Sequence, residues 1–497
     1  MYIIIHTYMS TPLSLRKKNR PRSTPNPPRP TPPPVGRLHT NLSARQLLRQ
    51  FRKLFSAKLL AGWLQDYPQT FYQRAFTPLI VLWYCLFQRL DPNHALTHVV
   101  ADARDGGADH LSPPGKPLSQ QLRSEATASY SDGRQRLPWQ IFAQAVVHSA
   151  RQIASWAKGL RWHGWQVVLL DGSTCRLRPY GDIPQHFHPH RPGNCKKPPY
   201  WCVARVVVGF CLATGAAVGC VLGSLHDSEQ ALTALLLTGS WAKTLLVGDR
   251  NFGVYSVVRT AQGASAQVLV RLTHCRAAKL ARSAGVSLTL GLDTPVVWRP
   301  SRHDQCPPGM RPEPVAGRLL VLRVRRPGFP PITLCLFTTL TDVQTYSAAD
   351  LAQLYGQRWQ VELNLRYVKA QLDLAALESH SADMARKDWL AGLLAYNLIR
   401  SVMVAAAARA QIPVPVLSFS RTRELLLLWL VRWVMRPQAL QAWQRLLAQV
   451  ARCRQPKRRQ PPHSEPRAIR YYQIQFPKLE GSRAAARRKL KIANAKS

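Results

Sequence analysis

Apolar residues recur three and four apart from Leu42 to about Leu160, as in Leu47-Leu48, Phe51 and Leu54-Phe55, which predicts amphipathic helices over 41–160. Gly106-Gly107 and Pro113-Pro114-Gly115 divide that stretch into helical groups. The pattern then changes period. Trp165 to Asp171 is a short apolar run closing on a carboxylate, which predicts a buried strand with Asp171 at its C-terminal end. Two β-branched runs, Tyr200 to Leu212 and Ala216 to Leu222, meet at Thr214-Gly215 and predict a hairpin. A helix is expected from about Asp227 to Leu237, and Thr244 to Asp249 is a second apolar run closing on an aspartate. Helix and strand patterns alternate to Leu272, so a mixed α/β sheet follows.

Between about 273 and 340 the chain breaks into strand-like pieces, Val286 to Leu290, Pro295 to Trp298, Leu319 to Val324 and Ile332 to Phe337, which read as a β-rich insertion. Helical spacing returns from Ala348 through Leu374 and from Asp388 to Ala408. The two ends differ from the body. Residues 1–40 hold nine prolines, seven Lys/Arg and no acidic residue, which predicts a solvated, disordered segment. Residues 451–497 form a basic tail, fourteen Lys/Arg against Glu465 and Glu480.

Charge narrows the partner. The chain carries 68 Lys+Arg against 25 Asp+Glu, a formal net charge of +43, so a polyanion is expected, with DNA ahead of an anionic membrane surface. The apolar runs Pro78 to Phe87 and Leu425 to Met435 are shorter than the roughly 18 residues a span requires, the second also being interrupted by Arg432, and both read as buried helices. Ten scattered cysteines without a C-x-x-C pair point to a reduced, cytoplasmic protein without structural zinc.

Two aspartates at strand ends and a glutamate on a later helix suit metal-dependent phosphoryl chemistry, because hard cations such as Mg²⁺ take oxygen ligands. Singly, Asp171 or Asp249 is more often a turn or helix-cap residue. The stretch from Leu351 adds a pattern: Tyr355, Arg358, Glu362 and Lys369 are spaced three, four and seven apart, so on one helix they share a stripe. Leu354, Val361, Leu365, Val368 and Leu372 make an apolar stripe beside it. The charged positions are equally compatible with exposed ion pairs at helical spacing, which contribute only a few tenths of a kcal/mol.

At these residues the chain resembles the DDE transposases of bacterial insertion-sequence family four, whose signature is Tyr-x2-Arg-x3-Glu-x6-Lys. Tyr355, Arg358, Glu362 and Lys369 fill all four positions. Asp171-Gly172-Ser173-Thr174 looks like the family's first aspartate block and Gly248-Asp249-Arg250-Asn251-Phe252 like its second. The resemblance implies an α/β fold with a ribonuclease H-like catalytic core over 161–450, the β-rich insertion lying between the second aspartate and the glutamate. It implies two Mg²⁺ ions, replaceable by Mn²⁺, held by Asp171, Asp249 and Glu362, and DNA contacts from Tyr355, Arg358, Lys369 and Arg250.

By the same resemblance Trp298 is the aromatic to test for stacking on a flipped base. The helical N-terminal domain is expected to recognise the element's ends, and synapsis of two ends implies a homodimer. The rival reading is a catalytically inactive DNA-binding remnant or repressor, which the full acidic triad disfavours.

Overall fold

The computed structural model describes residues 43–455 apart from 54–55, 69–70, 72–73, 93, 190–200, 303, 305, 325–331 and 434–438, together with a few positions between 482 and 492. The expectations for residues 1–40 and for most of the basic tail lie outside the described residues.

Among the described residues seven α-helices precede the sheet: α1 (Ala44–Arg52), α2 (Ala57–Leu64), α3 (Pro78–Leu90), α4 (Leu96–Arg104), α5 (Leu118–Gln121), α6 (Ala128–Arg136) and α7 (Trp139–Trp156). Side-chain caps set several starts: Ser43 forms a capping box with Gln46, and Thr77 caps α3 with Pro78 at the first helical position. Next come β1 (Gln166–Leu177), α8 (Ile183–Phe187), β2 (Cys202–Cys211), β3 (Ala217–Gly223), α9 (Glu229–Leu236), β4 (Thr244–Gly248), α10 (Tyr255–Gly263) and β5 (Gln267–Arg271). The stretch 273–340 supplies α11 (His274–Ser283), β6 (Asp293–Trp298), β7 (Val315–Val324) and β8 (Ile332–Thr338). The C-terminal part holds α12 (Ala348–Gly356), α13 (Gln360–Gln371), β9 (Ala376–Leu377), α14 (Ala382–Ala410), α15 (Phe419–Trp433) and α16 (Ala439–Arg452).

Among the described residues the strands form one sheet in the order β3-β2-β1-β4-β5-β8-β7-β6, with β9 pairing β1 off this path. The hairpin β2–β3 is antiparallel, as its turn chemistry predicts, while β1, β4 and β5 are parallel to one another. Three expectations change. The insertion continues the main sheet, because β8 pairs β5 antiparallel through Leu269 to Arg271, and it opens with a helix, α11. Val286 to Leu290 is not a strand: the Val286 N–H bonds back to the Ala281 carbonyl and the Thr289 N–H to the Ser287 carbonyl, so local turns take donors a ladder would need. Asp171 lies in the middle of β1, whose pairing with β2 runs on to Leu177.

The helices cover both faces. Val167 and Leu169 belong to the large core beneath α14, and Val168 and Leu170 belong to a second core with α9 and α10, as strand alternation requires. α14 is long and apolar enough to span a membrane, but its apolar window is wholly buried among α3, α7, α15 and α16. The N-terminal helices therefore share a hydrophobic core with the sheet. Asp388 of α14 ties the two parts together, accepting from Arg134 (2.9 Å), Arg89 (3.1 Å) and Ser379 (2.7 Å) in a buried cluster. Asn397, about two and a half turns further on with α7 on one side, accepts from the Ala217 N–H at 2.7 Å and donates to Ser149, Val146 and Ala217.

Candidate active site

The register between β1 and β4 pairs Gln166 with Thr244 and ends at Leu169 with Val247; Asp171 and Asp249 each follow two residues later, Asp249 in the turn after β4. Neighbouring strands lie about 4.8 Å apart, so the two apolar runs deliver their aspartates side by side. By alternation Asp171 and Ser173 point to the face of β1 that carries Val167 and Leu169, and Gly172 faces the other way.

Local chemistry holds the Asp249 turn. Oδ1 of Asp249 accepts the Asn251 N–H at 2.8 Å, an Asx-type turn, and the Asp249 carbonyl accepts from Phe252 and Gly253. Phe252 is fully buried, and a side chain at Gly253 would meet the Arg271 carbonyl at 2.0 Å, so the turn packs directly onto β5. Arg250 projects from this turn and is exposed.

The third carboxylate arrives on α13. Its apolar stripe is buried as the spacing predicts, Val361, Leu365, Val368 and Leu372 all lying in the core with Leu354 of α12. The buried Asn364 accepts from Arg400 of α14 at 2.6 Å, which fixes the helix about its axis. The four-residue signature does not lie on one helix. Around Gly356, a weak helix former, the N–H groups of Gln357, Arg358, Gln360 and Val361 bond three residues back, so Tyr355 lies in the last turn of α12, Arg358 sits in the turn, and Glu362 and Lys369 ride on α13.

These residues are nevertheless brought to one place. Arg358 donates to Glu362 at 2.9 Å and interacts with Tyr355 and Asp171. Lys369 donates to Ser173 Oγ at 3.2 Å, on the face of β1 that bears Asp171. Tyr355 is buried, which raises its phenol pKa, and it bonds to Arg358 rather than facing solvent.

Electrostatics single out Asp171. Burial pushes its carboxyl pKa up to about 7; Asp249 and Glu229 add to the rise, while Arg358 and the Gly172 N–H oppose it. Burial works against the Arg358 charge, but Tyr355, Glu362 and Asp171 outweigh it and raise its pKa. Burial lowers the Lys369 pKa.

An all-oxygen pair of aspartates with a raised carboxyl pKa fits a hard divalent cation. The fit is incomplete at Glu362: its carboxylate is paired with Arg358 and largely exposed, and among the described residues no group of three or more His, Cys, Asp or Glu gathers at ligand spacing.

Two further points concern residues read from sequence. Trp298 is buried, its ring edge-on to Phe337 (5.0 Å) and to Tyr255 (6.4 Å), so it is a core residue here and is not brought to the aspartates. Glu229, which the sequence reading passed over, lies at the start of α9 and receives the Asn251 side-chain amide. Its signal in the sequence is the acidic run His226-Asp227-Ser228-Glu229 opening a helix between the two aspartate blocks.

The chain matches the transposase DDE domain over residues 162–398, which supports a DDE transposase of the IS4 type and DNA transposition as its general process. It is 22% identical, over 346 residues, to the transposase InsG for insertion sequence element IS4 of Escherichia coli (strain K12), covering 66% of this chain and 71% of that protein. Among solved structures it is similar to a piggyBac transposase synaptic complex with hairpin DNA, at 9% identity and a TM-score of 0.38, covering 84% of this chain and 88% of that one.

Proposed function

We propose that this transposase cuts DNA at the terminal inverted repeats of its element and joins the ends to target DNA, with Asp171, Asp249 and Glu362 holding two Mg²⁺ ions for which Mn²⁺ can substitute. The observation that carries the reading is that Asp171 and Asp249 each stand two residues beyond the last β1–β4 pair and interact electrostatically, with Arg358 of the Arg358–Glu362 ion pair acting on Asp171. Bound divalent ions would supply activation of the attacking oxygen and stabilisation of the leaving one.

The residues divide the remaining work. Arg358 exchanges Glu362 for a DNA phosphate, which it can grip with two N–H groups, and the freed Glu362 carboxylate turns toward the aspartates. Tyr355 holds the Arg358 guanidinium from its buried side and meets the DNA through it. Lys369 and the exposed Arg250 add phosphate contacts on either side of the aspartates. The formal charge of +43 and the exposed Arg45 and Arg49 on α1 suit end recognition by the N-terminal helices. Synapsis of two ends calls for two copies of the chain.

The test is cleavage of a labelled duplex carrying an element end, with binding followed in parallel by band shift. Asp171→Ala, Asp249→Ala and Glu362→Ala should each abolish Mg²⁺-dependent cleavage and leave binding largely intact. Undiminished cleavage by Glu362→Ala would overturn the assignment.

A further inference from the structure

Between the two aspartate-bearing segments lies Glu229, a partly buried residue whose carboxylate occupies the space over Gly172: a Cβ placed on Gly172 would stand 2.1 Å from the Glu229 Oε1. Gly172 faces away from the Asp171 side chain, so Glu229 approaches β1 from the face opposite the carboxylate pair. Its Oε2 accepts from the Asn251 Nδ2. The Asn251 backbone N–H is the donor to Asp249 Oδ1 (2.8 Å), and Gln230 of the same helix donates to the Asn251 carbonyl (2.8 Å) and Oδ1 (2.9 Å). α9 is itself anchored, Ser228 capping it through the Ala231 N–H at 3.0 Å and Leu232 and Leu236 lying in the second core.

We propose that Glu229 is a positioning residue for this centre: by accepting from Asn251 while seated on Gly172, it sets the Asp249 carboxylate against Asp171. The inference rests on the reading of Asp171 and Asp249 as metal ligands. Glu229 acts through the Asn251 amide, so the property that matters is an acceptor oxygen at the end of a side chain of this length. Groups hydrogen-bonded to a metal ligand characteristically change metal affinity by roughly 10- to 100-fold, and Glu229 reaches Asp249 through one such group, Asn251. An interaction relayed through Asn251 also makes the effects of the two residues non-additive.

The experiment is Mn²⁺ binding to the full-length protein by isothermal titration calorimetry, with thermal unfolding of each variant alongside. Glu229→Ala should weaken Mn²⁺ binding by roughly 10-fold or more. Glu229→Gln, which keeps an acceptor oxygen at the same reach, should bind close to the parent. Asn251→Ala should match Glu229→Ala, and the double variant should be no worse than either. Equal losses in Glu229→Gln and Glu229→Ala would overturn the proposal, since the charge and not the acceptor would then matter. Unchanged affinity in Glu229→Ala, or additive losses in the double variant, would overturn it too. If Asp249→Ala itself binds Mn²⁺ like the parent, the metal reading fails and takes this proposal with it, a result distinguishable from failure at Glu229 alone. Should Glu229→Ala not fold, the Glu229→Gln and Asn251→Ala pair decides the matter: parent-like binding by the first with loss in the second supports relay, and any other pattern refutes it.

Discussion

Replacing Asp388 by Asn removes a charge from the junction between the N-terminal helices and the catalytic sheet without changing the volume of the side chain. Asp388 faces Arg134 at 2.9 Å and Arg89 at 3.1 Å, with all three side chains at most 13% exposed, and its second oxygen accepts from Ser379. After the substitution two buried guanidinium groups confront a neutral amide, and leaving a buried charge without its partner costs about 3–5 kcal/mol. An exposed ion pair would be worth about 0–1 kcal/mol.

The pH dependence has a definite sign. Burial tends to raise the Asp388 pKa, but Arg89 and Arg134 outweigh it and hold the carboxyl below its ordinary value. A depressed folded-state pKa gives stability that is present above the unfolded value, about 3.9, and that is lost as pH falls through the lower folded value. Urea unfolding followed by circular dichroism should therefore show Asp388→Asn destabilised by about 3–5 kcal/mol at pH 7, with the gap to the parent closing in strong acid. A loss under about 1 kcal/mol at pH 7, the size expected of a surface pair, would refute the claim that this cluster joins the two parts.

Trp298→Ala should destabilise the fold by about 3–5 kcal/mol, while the folded protein binds an element end as the parent does; weakened end binding at unchanged stability would restore a stacking role. Arg358→Met should weaken end binding and reduce the slope of log affinity against log salt by about one, read by fluorescence anisotropy across salt concentrations. Gly172→Ala, whose Cβ would collide with the Glu229 carboxylate, should slow Mg²⁺-dependent cleavage with little change in thermal unfolding; parent-like cleavage would show that Glu229 moves away at no cost.

Much of the candidate site is legible in the sequence because the elements that carry it are locally coded. Apolar runs ending in Asp171 and Asp249 need only strand periodicity to be found, and the stripe of Val361, Leu365 and Val368 needs only helical periodicity. The features that escaped depend on contacts remote in sequence. Asp171 falls mid-strand because β2 continues to pair beyond it, and β6 to β8 join the main sheet because β8 finds β5, some sixty residues upstream. The break after Gly356 is a matter of a few bonds to the third residue back, too small a change in rise to disturb the spacing of Arg358 and Glu362. Glu229 was missed because its role comes from the space over Gly172 and from Asn251, twenty-two residues away, and no spacing rule encodes that meeting. Trp298 illustrates the converse, a residue whose type suggested stacking and whose burial places it in the core.

Direct contact between Asp249 and a catalytic metal is tested most sharply by exchanging its oxygen ligand for sulfur. Thiolate ligands favour softer ions over Mg²⁺. Asp249→Cys should therefore fail to cut a labelled element end in Mg²⁺ and regain cleavage when Mn²⁺ or Cd²⁺ replaces it, whereas Asp249→Ala should regain nothing. Cleavage by Asp249→Cys in Mg²⁺ at the parent rate would contradict the assignment of Asp249 as a metal ligand.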